Sequence, residues 1–61
     1  MDKRFEIKIL KSRLSATDYK AMKYFEGLMS EEEYAQIKAQ RQAWRDRINA
    51  LEVEVQNEKN N

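Results

Sequence analysis

Two serines, a run of three glutamates and a row of cations beside a tryptophan are the residues of this chain whose types could do chemistry. To act as nucleophiles, Ser15 and Ser30 would need a general base within hydrogen-bond reach, and the chain contains no His and no Cys. Each serine instead heads the same short pattern: Leu14-Ser15-Ala16-Thr17-Asp18-Tyr19 and Met29-Ser30-Glu31-Glu32-Glu33-Tyr34 both run apolar, Ser, two spacers, acid, Tyr. This is a capping box with a hydrophobic staple. The hydroxyl accepts from an amide of the first turn, the acid reaches back to the cap amide, and the flanking apolar residue packs on the Tyr. The glutamates Glu31 to Glu33 lack the spacing of a calcium loop and stand where the positive end of a helix dipole favours acids. With no glycine-rich phosphate loop either, we read the chain as non-enzymatic, with no cofactor, no metal and no small-molecule substrate.

The cations leave a second possibility open. Lys38, Arg41 and Arg45 recur on one helical face beside Trp44, and Lys3, Arg4, Lys8, Lys11 and Arg13 crowd the start of the chain. Such a face could contact nucleic acid or an acidic partner. Yet the net charge is only +1, so no global field of the kind that gathers polyanions exists, and the basic blocks alternate with acidic ones that can neutralise them.

The elements that must position these residues follow from the caps and from Gly27, the single glycine. Gly27 suits the left-handed residue that ends a helix, with Leu28 placed for the closing hydrophobic contact. The grammar predicts a short first helix over about 16–26 and a long second one over about 31–56. The connection is short enough for a helical hairpin, with Met22, Phe25 and Met29 expected to meet Tyr34 and Ile37. Residues 1–14 form an N-terminal amphipathic segment, 15–56 the hairpin with its coiled-coil-like second helix, and 57–61 a polar tail expected to fray. In the N-terminal segment Phe5, Ile7 and Ile9 alternate like a strand, while Ile7, Leu10 and Leu14 fit a helix. We read it as helix, because the chain offers no second strand to pair with it; the alternative is a strand paired outside the chain.

The strongest pattern lies on the second helix. Tyr34, Ile37, Arg41, Trp44, Ile48, Leu51 and Val55 follow one another at spacings of three and four residues, the a and d positions of a coiled coil. They form the expected protein interface, with Arg41 setting the register. A chain of 61 residues without disulfides or a metal is small for a self-sufficient core, so association is the remaining way to stabilise it. In a parallel pair of second helices Glu33 would face Lys38, Gln40 would face Arg45 and Arg47 would face Glu52, none of them repulsive. The first helix alone does not reach beyond about Trp44, so Ile48, Leu51 and Val55 must meet the N-terminal segment or another chain. The expected partner is therefore the chain itself, as a parallel homo-oligomer. Apolar runs are far shorter than the ~20 residues of a membrane span, and we read the chain as soluble, unprocessed and without a membrane partner.

The stretch Thr17-Asp18-Tyr19-Lys20-Ala21-Met22-Lys23-Tyr24-Phe25-Glu26-Gly27, followed by Ser30 to Tyr34 and by Ile37-Lys38-Ala39-Gln40-Arg41-Gln42-Ala43-Trp44-Arg45-Asp46-Arg47-Ile48-Asn49, resembles a helical segment of phage and prophage proteins. In that group it looks like a module near the ends of tail-associated proteins, or a short product encoded among tail genes. The likeness spans about residues 14–52 and brings no catalytic residue. It implies a tail-associated structural or assembly role, another phage protein as a further possible partner, and a place in the host cytoplasm during assembly or in the virion. The competing expectation is a small phage-encoded binder of a host protein or of nucleic acid, acting through Lys38, Arg41 and Arg45.

Overall fold

The computed structural model describes residues 2–59 and consists of two antiparallel helices, α1 over Lys3–Phe25 and α2 over Glu31–Lys59. The expected all-α hairpin is what forms, drawn out to 48 × 17 × 15 Å. The N-terminal segment is helical, as read, and runs into the first helix without a break.

That continuity corrects the expected helix start at Ser15. Asp2 caps α1 instead, accepting from the Arg4 amide at 3.0 Å, and Ser15 lies exposed in mid-helix. A serine inside a helix costs only a few tenths of a kcal/mol. Burying Leu10 with Ile7 and Leu14 packed around it contributes several times that, so tertiary packing overrides the local cap. The neighbouring residues of the false box have other tasks: the Thr17 hydroxyl bonds back to the Arg13 and Leu14 carbonyls at 3.0 and 3.1 Å, and Asp18 accepts from Arg41 at 2.8 Å.

The serine half of the second box forms. Ser30 Oγ accepts from the Glu33 amide at 3.1 Å, and three glutamates occupy the first turn of α2. Between the helices Gly27 has φ +80°, the Leu28 amide donates to the Lys23 carbonyl at 2.8 Å and the Gly27 amide to Tyr24 at 3.0 Å. These two bonds are a Schellman closure. The helix α2 continues past the expected end near 56 into the first residues of the polar tail; residues 60 and 61 lie outside the described residues.

The core is a thin line between the helices. Leu10, Ile48 and Leu51 are buried, with Ile7, Leu14 and Trp44 packed against them. At the loop end Tyr24 and Tyr34 stack, ring centroids 4.4 Å apart and planes 8° off parallel. Of the expected facing residues Met22 and Phe25 are exposed, their places taken one position earlier by Ala21 and Tyr24, while Met29 is half-buried.

Candidate interaction site

Every residue of the predicted interface lies on the inner face of α2. Arg41, Ile48 and Leu51 are buried, and Tyr34, Ile37, Trp44 and Val55 half-buried. They meet α1 of the same chain. The matching face of α1 is Lys3, Ile7, Leu10, Leu14, Thr17, Ala21 and Tyr24, all buried or half-buried and again spaced by three and four. The sequence showed its first part, Ile7, Leu10 and Leu14, and the N-terminal segment as one of two covers for Ile48, Leu51 and Val55; its continuation through Thr17, Ala21 and Tyr24 was missed. Its spacing was present, but Lys3, Thr17 and Ala21 are weak seam residues and the false cap at Ser15 cut it in two.

Arg41 sits at the centre of the pairing and is 7% exposed. Its guanidinium donates to the Leu14 carbonyl at 2.8 Å, the Thr17 hydroxyl at 2.7 Å and Asp18 Oδ1 at 2.8 Å, while its Nε is buried without an acceptor. A charge can tolerate such a position only with hydrogen bonds of this kind. Since the acceptors occupy one turn of α1, a slip of either helix would strand the charge. The Arg41 bonds are thus specific to this register of the hairpin.

The flanking charges also pair within the chain. Arg47 Nε donates to Glu6 Oε2 at 2.9 Å, Lys3 Nζ lies 2.6 Å from Glu58 and 3.8 Å from Glu54, and Lys11 is 3.8 Å from Glu52. The arrangement engages both Arg47 and Glu52, which the parallel pairing would have joined across two chains. The hydrogen bond from Arg47 holds the Glu6 carboxyl below the usual glutamate range, and the one to Glu58 raises Lys3 above the usual lysine range. Antiparallel packing gives the Lys3 pairings a further reason: they place a cation against glutamates in the last turns of α2, where the helix dipole disfavours acids.

The cationic trio does not come together on one open face. Lys38 and Arg45 are exposed, whereas Arg41 between them is turned inward and engaged. Among the described residues no group of acidic, His or Cys side chains is placed to hold a metal, and no helix is long and apolar enough to cross a membrane.

What remains for a partner is the outside of the hairpin. The face of α1 opposite the seam carries Phe5 and Tyr19, 55% and 53% exposed, with the half-buried Ile9 between them. Phe5, Lys8, Ile9, Ser12 and Arg13 line an open groove there. Lys20 and Lys23 reach over the Tyr19 ring at 6.0 and 5.7 Å. The acids of α1 are all engaged elsewhere: Glu6 with Arg47, Asp18 with Arg41. Lys8, Arg13, Lys20 and Lys23 have no ion-pair partner among the described residues. The outer face of α1 is therefore aromatic, aliphatic and cationic at once. Comparison with protein-family models, with curated proteins and with solved structures gives no match.

Proposed function

We propose that this protein is a non-catalytic association module of the phage assembly kind, tail-associated and at work in the host cytoplasm or the virion. Its phage character rests on the sequence resemblance over residues 14–52. Its mode of action rests on one observation: the heptad seam is closed within the hairpin, while Phe5, Ile9 and Tyr19 are left together on the outer face of α1 among unpaired cations. Contact with a partner therefore falls to the outer faces rather than to the seam. The protein's own kind is the first partner to test, and another phage protein the second. The alternative is a binder of a host protein or of nucleic acid through the basic side of α2, where Lys38 and Arg45 are exposed and Arg41 is turned inward.

The test separates seam from outer face. Sedimentation equilibrium over a wide concentration range should show association. A Phe5→Ser, Tyr19→Ser double variant should lower the mass at unchanged helicity, because both side chains are exposed and outside the core. Ile48→Asp should lose mass and helicity together. A monomer at every concentration, or a double variant that associates as the parent does, would contradict the reading.

A further inference from the structure

The outer faces of the two helices carry matched patterns, and this bears on what the outer face of α1 takes as its partner. On α1 the pattern is Phe5, Ile9, Ser12, Ala16 and Tyr19; on α2 it is Ala39, Ala43, Asp46, Ala50 and Val53. Both run at spacings of four, three, four and three residues, and each lies on the side of its helix away from the hairpin seam. All ten side chains are exposed except Ile9, which is half-buried.

Their charges are opposite. Lys8, Arg13, Lys20 and Lys23 surround the α1 pattern without ion-pair partners among the described residues, and Glu26 at the end of the helix is the one acid on that side. Around the α2 pattern the unpaired charges are the acids Glu32 and Asp46; Glu33 stands beside the seam at a g position, and Arg47 is taken up by Glu6. Among the described residues the unpaired cations of α2, Lys38 and Arg45, stand beside the seam at e positions, away from the centre of this face.

We infer that the outer face of α1 docks on the outer face of α2 of a second copy of this chain. The inference rests on the association reading above and adds its geometry. Two α1 faces brought together would oppose four unpaired cations with four more, which electrostatic complementarity disfavours. Against α2 the cations meet acids. The shapes also fit: with the two patterns centred on each other, Ser12 meets Asp46 in either helix direction, a hydroxyl donor against a carboxylate acceptor. Phe5 and Tyr19 then lie over Ala39 and Val53, and Ile9 and Ala16 over Ala43 and Ala50, so that the bulky side chains of one helix face small ones on the other.

Because the two faces point away from each other on one hairpin, such a contact is heterologous. Every added copy leaves one face of each kind free, so growth continues unless the rotation between copies closes a ring.

The test uses the full chain and two variants that each disable one face. Phe5→Ser with Tyr19→Ser disables α1, and Ala43→Lys with Ala50→Lys disables α2; circular dichroism checks that both keep the parent's helicity. In sedimentation velocity at low salt the parent should grow past a dimer as concentration rises and should shrink in high salt. Either variant alone should associate at least tenfold more weakly. Mixed in equal amounts, the variants should give a 1:1 dimer and nothing larger, since only one pair of live faces is left. A parent that stops at a dimer would overturn the head-to-tail contact and leave association standing. A parent that stays monomeric would overturn both. Either variant growing on its own, or a mixture that stays monomeric, would overturn the pairing of these two faces.

Discussion

At the scale of single residues Arg41 is the most constrained side chain, and it separates stability from specificity. Removing it by Arg41→Ala deletes three hydrogen bonds and leaves a gap beside Leu14, which should cost about 2–3 kcal/mol in urea unfolding. Arg41→Met fills much of the same space without a charge to desolvate, and should stay within about 1 kcal/mol of the parent. Equal losses in the two variants would mean that the charge itself holds the hairpin together. Glu6 gives the pH dependence. Its folded pKa is lowered, first by the hydrogen bond from Arg47 and then by that residue's charge. Its stabilising effect is therefore complete above the unfolded value of about 4.3 and is lost as pH falls through the folded value. Thermal melts should show Tm dropping on acidification below about pH 4, and Glu6→Gln should flatten part of that drop. An acid limb unchanged in Glu6→Gln would place the loss elsewhere.

At the scale of the elements the two serine boxes form a natural experiment, because nearly the same local code has two outcomes. Ser30→Ala should cost about 1 kcal/mol by removing the acceptor for the Glu33 amide. Ser15→Ala should be neutral or stabilising by a few tenths of a kcal/mol, since Ala is the better residue inside a helix. A loss of about 1 kcal/mol at Ser15 would restore it as a cap and break α1 in two. The contrast also shows what could be read from the chain. Gly27 and Ser30 were legible because their tasks are local: a left-handed backbone angle and an amide acceptor depend on immediate neighbours. The extent of α1 was not legible in the same way. Whether residues 3–14 continue into 15–25 depends on Ile48 and Leu51 waiting on the other helix, and a capping rule that looks four residues ahead does not see them. Likewise the α2 seam was read correctly as a packing face, but periodicity alone does not say whether the complementary face lies in another chain or earlier in this one. Once Lys3, Ile7, Leu10, Leu14, Thr17, Ala21 and Tyr24 are lined up, the answer is an internal partner.

At the scale of the whole molecule, two seams fold onto each other and use up Arg41, Glu6, Asp18 and Arg47 in doing so. Spending the acids of α1 inside the hairpin is what leaves its outer face cationic, so the internal pairing shapes the surface offered outward. The heptad seam of α2 is closed by α1 of the same chain. A chain without native cysteine makes this directly measurable: in a Leu10→Cys, Ile48→Cys variant, oxidised at low concentration, mass spectrometry reads whether the disulfide lies within one chain or between two. The expected product is a single covalent chain with residues 10 and 48 joined internally, since both side chains belong to the same core cluster. Dimers linked through residue 48 of each chain would mean that two α2 helices pair along the seam, and would contradict the internal closure.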